Sequence, residues 1–346
     1  MTRIGMNPAR DRISDYRPAR VTVAVLVYIP YLTGYFEHRL EVLKLCLLSI
    51  QKHTESPYDL LVFDNGSCEE VKAYLCNLQE AGVIQYLLTS SENVGKIGAF
   101  KIMFEAAPGE VIAYSDDDIF FYPGWLSAHL ELLDGFPNVG MVSGCAVRTL
   151  FDHGVSSNLE LARQDPEVHL IKGQNIPESW EIDWAESYGR DIDAHRLAFQ
   201  ELEDIQIEGF GLKAFAIANH NQFVTPKSVI TQFIPDKWSG RLMGQMNELD
   251  VAVDEGGYLR LSTLDRTTRH MGNMISSGMA NEAKNLGLYV EATDVRYSVV
   301  KQKGILNRLI RWRPVRWFIQ GLYNRLFWLL SEQSGSWLEK GRSEEL

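Results

Sequence analysis

The feature that most constrains the fold is a regular alternation of apolar runs and amphipathic stretches over residues 21–118. The apolar runs, each ending in polar or turn residues, lie at 21–30, 58–67, 84–95 and 110–118, and stretches of helical spacing lie at 38–54, 69–81 and 96–107. Strands that are apolar at every position are typical of a parallel sheet covered on both faces. The alternation predicts an α/β fold with a doubly wound sheet, which binds ligands at the carboxyl ends of its strands.

The fourth apolar run ends in three consecutive carboxylates, Asp116, Asp117 and Asp118. Like charges this close repel each other, so the cluster requires a cationic partner. In an Asp-x-Asp pattern at a strand end, Asp116 and Asp118 point the same way. Hard oxygen ligands of this kind suit Mg²⁺ or Mn²⁺, which in turn binds a diphosphate. A solvated acidic turn or an N-cap cluster before a helix is the alternative.

Polar residues also follow the second and third apolar runs. In VFDNGS, Asp64 can accept a hydrogen bond from a nucleotide base or a ribose hydroxyl, and Asn65-Gly66 allows a tight turn beside a ligand. An ordinary Asx turn before the next helix is the alternative. In ENVGKIGAF, Asn93 and Lys96 stand where a strand meets a helix, and backbone N–H groups and a Lys ammonium there both favour phosphate.

Composition limits the classes of partner. The chain has 346 residues, 45% of them hydrophobic, which suffices for one large domain or two. A net charge of −11 and a pI near 5.3 argue against nucleic acid as a partner, so phosphate binding needs a local device such as a metal ion. The four scattered cysteines favour reduced, buried thiols. The N-terminus has no apolar core of a signal peptide, so we expect a cytoplasmic protein.

The pattern loosens beyond residue 125. A helix is predicted over 126–133 and a strand within 139–147, whereas the polar stretch 148–204 has no clear period and is interpreted as a functional loop or a small insertion. Strands flanking a turn are predicted within 207–230. In 244–263 a helical stretch ends at Gly256-Gly257 and a strand begins.

The four apolar runs with their terminal motifs, in this order and spacing, resemble the nucleotide-binding half of family 2 glycosyltransferases of the GT-A fold. The resemblance covers 21–147. It implies an inverting transferase that moves a sugar from a nucleotide diphosphate donor to an acceptor hydroxyl, in cell-surface polysaccharide or glycolipid assembly. It also implies Mn²⁺ or Mg²⁺ as the cofactor. The metal ligands implied are Asp116, Asp118 and His270, with Asp118 the more direct of the two carboxylates. The donor-binding set is Tyr28, Pro30, Asp64, Asn93, Lys96, Asp116 and Asp117.

An inverting transfer needs a general base, and in this family the base is an Asp that usually follows a Glu ahead of a helix. MNELDVAVDEGG is the matching segment, with Asp250 as the base and Glu248 as its rival, because Leu249 separates the two acids. Solvated acids in the first turn of a helix are the alternative for both. His220 is a candidate for the acceptor site. Candidates for stacking on a sugar are Trp180, Trp184 and Trp238.

The C-terminal stretch 301–330 has seven Lys or Arg residues and no acid, and apolar residues fall on one helical face after Pro314. Two interpretations stay open. The part from 304 to 330 binds an anionic membrane surface peripherally, which lipid-linked acceptors favour, or it packs on the protein or on a second subunit. No segment is long and apolar enough to span a bilayer.

The resulting division of the chain has four parts. They are a polar leader (1–20), the nucleotide-sugar half (21–147), an acceptor half with an insertion at 148–204 (148–275) and a helical, basic-aromatic extension (276–346). Two rival functions remain. A sugar-phosphate nucleotidyltransferase would show a Gly-rich basic loop after the first strand, which YIPYLTGYFEH lacks. A non-catalytic nucleotide or sugar-binding module would keep the fold without turnover. The oligomeric state, including a homo-oligomer, stays open.

Overall fold

The computed structural model describes residues 5–7, 9–13, 15–151, 154–235 and 246–293. The strands of this part of the chain are β1 Val21–Val27, β2 Asp59–Asp64, β3 Tyr86–Thr89, β4 Val111–Asp116, β5 Ile119–Phe121, β6 Val139–Ser143, β7 His169–Gly173, β8 Asp204–Gly209, β9 Leu212–Phe215, β10 Gln222–Pro226, β11 Leu259–Ser262 and β12 Thr268–His270. The helices are α1 Arg39–His53, α2 Glu69–Glu80, α3 Gly95–Ala106, α4 Trp125–Gly135, α5 Ser156–Gln164, α6 Glu178–Ser187, α7 Ile192–Phe199, α8 Lys227–Phe233, α9 Met246–Glu255 and α10 Ser277–Asn285.

A ten-stranded mixed sheet forms the centre of this part of the chain, in the order β3-β2-β1-β4-β10-β6-β11-β9-β8-β7. The first four strands of that order are parallel, as the alternation of apolar runs and helices predicts. Strand β10 then runs antiparallel to both β4 and β6. The predicted α/β class is therefore confirmed, and the sheet is mixed.

The sheet is covered on both faces, which is why its first strands are apolar at every position. In β1, Val23 and Val25 belong to a core that includes residues of α1, α2 and α4. Their neighbours Ala24 and Leu26 belong to a separate core with residues of α3, α8 and α9. Successive side chains of a strand point to opposite faces, so a strand between two helical layers must be apolar on both.

The interpretation of 148–204 as a loop is wrong. This segment contains three helices, α5, α6 and α7, and the edge strand β7. Its interior holds charges where other segments hold apolar side chains. The backbone N–H of the buried Arg148 donates to Glu181 Oε1 at 2.7 Å, and Arg148 Nε lies 3.4 Å from Asp204 Oδ2. The three helices have 9, 10 and 8 residues, and each is shorter than the window of about 11–18 residues over which a helical period is recognised in a sequence.

The cysteines are less uniformly buried than the sequence predicts. Cys46 is buried and all four cysteines are free, but Cys76 is exposed, so the expectation of buried thiols is wrong for that residue.

The predicted C-terminal extension begins with α10, whose Met279 and Ala283 pack in the core with α1. The predicted membrane-binding stretch 304–330 lies outside the described residues. Within the described residues, no helix has the length and apolarity that crossing a bilayer requires.

A buried histidine supports the start of β10. His129, on α4, lies with its Nε2 3.2 Å from Gln222 Oε1 and its Nδ1 2.6 Å from the carbonyl of Trp125. The same Gln222 oxygen accepts from the backbone N–H of Gly144 at 3.0 Å. Burial lowers the pKa of His129 to about 4. Folding therefore selects the neutral imidazole at this position.

We expect the His129→Gln variant to lose part of the acid sensitivity of the wild-type fold. Between about pH 6.5 and pH 4 the unfolded His129 binds a proton that the folded one does not, so wild-type stability falls as pH falls through this window. The loss amounts to up to about 3 kcal/mol. Urea denaturation of both proteins at several pH values measures it, and parallel curves for wild type and variant would contradict the prediction.

Candidate active site

The register of the parallel strands brings two predicted carboxylates to one edge of the sheet. Val27 of β1 pairs with Asp64 of β2, and Leu26 pairs with Asp116 of β4. The two acids therefore lie on either side of the end of β1. This edge is where a doubly wound sheet binds its ligands.

Asp64 is fully buried, and only one of its two carboxylate oxygens has a hydrogen-bond partner. Its Oδ1 accepts from the backbone N–H of Ser67 at 2.9 Å, an Asx turn that leads into α2. Its Oδ2 has no hydrogen-bond partner. Leaving a buried carboxylate oxygen unpaired costs free energy, and such an oxygen is a candidate for binding a ligand. The Asx turn is therefore present at Oδ1, and Oδ2 remains a candidate for the predicted ligand contact.

The loops after β2 and β3 are fastened to each other by two asparagines. Asn65 Oδ1 accepts from the backbone N–H of Val94 at 2.8 Å, and Asn65 Nδ2 donates to Asn93 Oδ1 at 2.9 Å. Asn93 Oδ1 also accepts from the N–H of Gly95, at 2.8 Å. Gly66 has a φ of +86°, and a Cβ on it would lie 2.9 Å from the backbone of the other loop. The predicted tight turn is therefore needed for the two loops to meet.

Asp116 is paired with Lys96 from the start of α3. Lys96 Nζ lies 2.7 Å from Asp116 Oδ1 and 2.9 Å from its Oδ2, and the hydroxyl of Tyr114 also donates to this carboxylate. Lys96 is buried, with its ammonium 5.5 Å from the centroid of the Tyr114 ring. The sequence placed both residues at the site but did not pair them.

The other two acids of the cluster share one arginine. Arg39, at the start of α1, donates from Nη1 to Asp118 Oδ2 at 2.6 Å and from Nη2 to Asp117. Nη1 also donates to the carbonyl of Gly272 at 3.0 Å. The sequence predicts that the cluster needs a cation but does not identify Arg39 as that cation. The available signal was that Arg39 lies four residues before Leu43, on the apolar face of the helix.

The surroundings of Asp117 and Asp118 shift the pKa values of these two acids in opposite directions. Burial raises the pKa of Asp117 to about 6, against the opposing effects of Arg39 and of the backbone N–H of Tyr28. Burial acts on Asp118 in the same direction, but the charges of His270 and Arg39 outweigh it and hold the pKa of Asp118 well below its usual range. Asp118 is therefore the acid that stays ionised.

His270 reaches the cluster through a two-stranded ribbon. Strand β12 pairs with β5, which directly follows the acidic cluster, and His270 lies opposite Ile119. His270 Nε2 is 3.3 Å from Asp118 Oδ2, and its Nδ1 is 2.8 Å from Ser187 Oγ. The ring stacks on Tyr188, with centroids 4.4 Å apart. Ser187 is the last residue of α6 and Tyr188 follows it, so the segment 148–204 positions this histidine.

The predicted metal-ligand set is only partly assembled. Asp118 and His270 are together, whereas Asp116 is turned to Lys96, and the described residues contain no group of three or more His, Cys, Asp or Glu side chains arranged around a metal position. Two buried oxygens of the cluster, Asp117 Oδ2 and Asp118 Oδ1, have no hydrogen-bond partner. Unpaired carboxylate oxygens beside an imidazole form a donor set that fits Mn²⁺ or Mg²⁺.

The predicted base lies inside a second ion cluster. Asp250, on α9, is 2% exposed; its Oδ2 is 2.7 Å from His220 Nδ1 and its Oδ1 is 3.0 Å from Arg260 Nη2. Its rival Glu248 is exposed on the same helix. Arg260, on β11, is 1% exposed and was not identified from the sequence.

The remaining candidates are less directly engaged. Tyr28 and Pro30 are half-buried in the turn after β1, where the backbone N–H of Tyr28 faces Asp117. Trp184 is 9% exposed, packs against Tyr188 and is covered by the guanidinium of Arg190, 4.2 Å from its ring centroid. Trp180 is half-buried and packs edge-on against Phe215, and Trp238 lies outside the described residues.

The structure thus defines an α/β protein with an acidic, cation-compensated cluster at the carboxyl ends of parallel strands. Residues 33–171 match the family model described as glycosyl transferase family 2. This part of the chain is therefore similar to family 2 glycosyltransferases, and the resemblance predicted from the sequence is confirmed over these residues.

Individual proteins match shorter parts or match more weakly. An uncharacterized glycosyltransferase of Nostoc sp. (strain PCC 7120) is 30% identical over 94 residues, which are 27% of this chain and 29% of that protein. A mannosyltransferase of Pyrobaculum calidifontis, solved with GDP-Man and Mn²⁺, is 23% identical over 40% of this chain and 38% of its own, with a TM-score of 0.32. S. aureus TarS (1–349) is 12% identical over 72% of this chain and 59% of its own, with a TM-score of 0.41.

We expect Arg39→Met to destabilise the fold by about 3–5 kcal/mol near neutral pH, because it leaves two buried carboxylates without their cation. Arg20→Met is the matched control. The Arg20–Asp134 ion pair has both side chains 50% exposed, and removing such a pair costs under about 1 kcal/mol. Urea denaturation at pH 8 and at pH 5 measures both. The cost at Arg39 should shrink at pH 5, since a protonated Asp117 needs no cation. Equal costs for the two variants at pH 8 would contradict the prediction.

Gly66→Ala should destabilise the fold more than Gly82→Ala does. Both glycines have positive φ, of +86° and +74°, and each variant carries a backbone cost of about 1 kcal/mol. Only at Gly66 does the added Cβ meet backbone atoms, and displacing a packed neighbour costs about a further 1–3 kcal/mol. The difference between the two free energies of unfolding is the measurement, and a difference of zero would show that the loops after β2 and β3 are not in contact.

Proposed function

We propose that this protein transfers a sugar from a nucleoside diphosphate donor to an acceptor hydroxyl with inversion at the anomeric carbon. The observation that carries the proposal is the buried, unpaired Oδ2 of Asp64, at the same sheet edge as the carboxylates of the β4 end, within the part of the chain that is similar to family 2 glycosyltransferases. A buried acceptor fits a base N–H or a ribose hydroxyl, and a cation-rich acidic cluster fits a diphosphate with its metal.

The donor half of the site uses the residues around the end of β1. Asp64 accepts from the nucleoside, and Tyr28, Pro30 and Asn93 border it. The ammonium of Lys96 lies at the start of α3, where the helix N-terminus also favours negative charge. Lys96 already binds Asp116, so a diphosphate that approaches this ammonium competes with the carboxylate for it.

A divalent ion, Mn²⁺ or Mg²⁺, would be held by Asp118 and His270, with Asp116 and Asp117 in the same cluster. When bound, it supplies a Lewis acid that stabilises the negative charge of the departing diphosphate. The chain prepares for this by keeping Asp118 ionised, through His270 and Arg39. The stacking of His270 on Tyr188 and its contact with Ser187 Oγ fix the orientation of the imidazole.

The acceptor half is formed by α9, β11 and the loop before β10. Of the two candidate acids on α9, we assign Asp250 rather than Glu248 to the place where the acceptor loses its proton. Asp250 is held against His220 in the loop before β10, whereas Glu248 is exposed on the helix surface. The acceptor is a glycan or a lipid-linked glycan, and the proposed setting is cell-surface polysaccharide or glycolipid assembly. Peripheral binding to an anionic membrane through 304–330 belongs to the same proposal.

Donor binding tests the proposal most directly. We expect the protein to bind UDP or GDP more tightly with MnCl₂ than with EDTA in calorimetric titrations. In the absence of an acceptor, we also expect it to hydrolyse one nucleotide sugar of a tested panel slowly. Asp118→Asn should weaken the Mn²⁺-dependent affinity at least tenfold, about 1.4 kcal/mol. Asp134→Asn, at the exposed ion pair with Arg20, is the control and should change nothing.

Two outcomes would contradict parts of this assignment. Unchanged Mn²⁺-dependent affinity in Asp118→Asn removes this residue from the metal site. Metal-dependent nucleotide binding without any hydrolysis or transfer over the whole panel favours the non-catalytic module, and pyrophosphate release from a nucleoside triphosphate and a sugar phosphate favours a nucleotidyltransferase.

A further inference from the structure

We infer that His220 is the general base that takes the proton of the acceptor hydroxyl, and that Asp250 is its positioning residue. This inference rests on the proposed glycosyl transfer and deepens it. The sequence assigned the proton to a carboxylate on α9, and the geometry points to the imidazole bound to that carboxylate.

The contact between the two side chains fixes the tautomer of the imidazole. His220 Nδ1 and Asp250 Oδ2 are 2.7 Å apart. An ionised carboxylate only accepts, so the proton of this hydrogen bond belongs to Nδ1. In the neutral ring, Nε2 then carries the lone pair. Within the described residues nothing hydrogen-bonds Nε2, and this nitrogen is the one that can take a proton.

Asp250 itself is poorly placed to receive a proton from a substrate. Its side chain is 3% exposed, whereas that of His220 is 21% exposed. Its other oxygen faces Arg260, which is fixed in turn by the carbonyls of Ala218 at 2.6 Å and of Gly154 at 3.1 Å. The arrangement of a buried acid, an oriented imidazole and a ring nitrogen without a hydrogen-bond partner is the one that makes histidine an effective base.

His220 lies in a loop at the same sheet edge as the donor carboxylates. Gln222 of β10 pairs with Ser115, and the backbone N–H of Asp116 donates to the carbonyl of Asn221 at 2.9 Å. The neighbours of His220 on both sides, Asn219 and Asn221, line one small cavity together with His270. The imidazole is therefore on the loop that joins the acceptor half to the tip of β4.

The charges facing His220 come from α9 and β11. Asp250 carries one negative charge towards Nδ1, and Arg260 carries one positive charge on the far side of that carboxylate. Arg260 pairs with Asp250 in a buried place, and the carboxylate stabilises the imidazolium that forms after proton transfer. Proton transfer in this inference therefore takes place at Nε2, the ring nitrogen of His220 that does not contact Asp250.

The step balances as follows. The acceptor oxygen forms a bond to the anomeric carbon while its proton moves to His220 Nε2. The bond between the anomeric carbon and the donor phosphate oxygen breaks, and its electron pair leaves with the nucleoside diphosphate. The imidazolium then returns its proton to solvent through its exposed edge. No oxidant or reductant takes part.

The decisive variant is His220→Asn, because the amide NH₂ of Asn can still donate to Asp250 but offers no basic nitrogen. We expect Mn²⁺-dependent UDP or GDP affinity within about twofold of wild type, and turnover of the hydrolysed nucleotide sugar reduced about 10²-fold or more. His169→Gln, on the exposed edge strand β7, is the control and should keep both properties. Wild-type turnover in His220→Asn would overturn the inference.

A spectroscopic measurement tests the positioning role without turnover. Long-range ¹H–¹⁵N correlations of the wild-type imidazole should show His220 protonated at Nδ1, and in Asp250→Asn the population should shift towards the Nε2-protonated tautomer. A wild-type ring protonated at Nε2 alone would overturn the inference. If wild type neither binds nor hydrolyses any donor of the panel, the proposed function fails and this inference with it; binding and hydrolysis that survive in His220→Asn refute the inference alone.

Discussion

The compensation of three adjacent carboxylates by cations from other elements is the interaction on which the site depends. Arg39 comes from the start of α1, Lys96 from the start of α3, and His270 from β12. Each of the three is distant from residues 116–118 in sequence. Each must pack against the end of β4, because burying these carboxylates without cations would cost a large free energy. The electrostatic requirement of one short segment therefore fixes the ends of two helices and one strand.

The two halves of the sheet contribute to the site by different means. In the parallel half, register alone places Asp64 and Asp116 on either side of β1, because neighbouring parallel strands end at one edge. In the mixed half, the antiparallel strand β10 brings its preceding loop, with His220, to the tip of β4. The segment 148–204 adds the support of His270 through Ser187 and Tyr188.

The sequence predicted what local pattern determines and missed what tertiary contacts determine. The strands and helices of 21–118 were predictable because burial on both faces leaves an apolar signature, and Asp64 and Asp116 because they follow such strands. Arg39 was not, since a lone Arg at a helix start is ordinarily solvated. Neither was the pairing of Asp250 with His220, which are 30 residues apart and meet only when α9 packs beside the loop before β10.

The Arg260–Asp250–His220 cluster and the Arg39–Asp117–Asp118 cluster solve the same physical problem with different results. Both bury carboxylates and both supply a guanidinium that is itself buried. At Arg39 one cation serves two acids and still leaves two carboxylate oxygens without a hydrogen bond, so that cluster retains capacity for a further cation. At Arg260 one cation serves one acid: Asp250 Oδ1 lies 3.0 Å from Arg260 Nη2 as an ion pair without a hydrogen bond, and Asp250 Oδ2 contacts the imidazole of His220. The charge balance therefore differs between two clusters at one edge of the sheet, as the proposed binding of metal and diphosphate at the first and the proposed proton transfer at the second require.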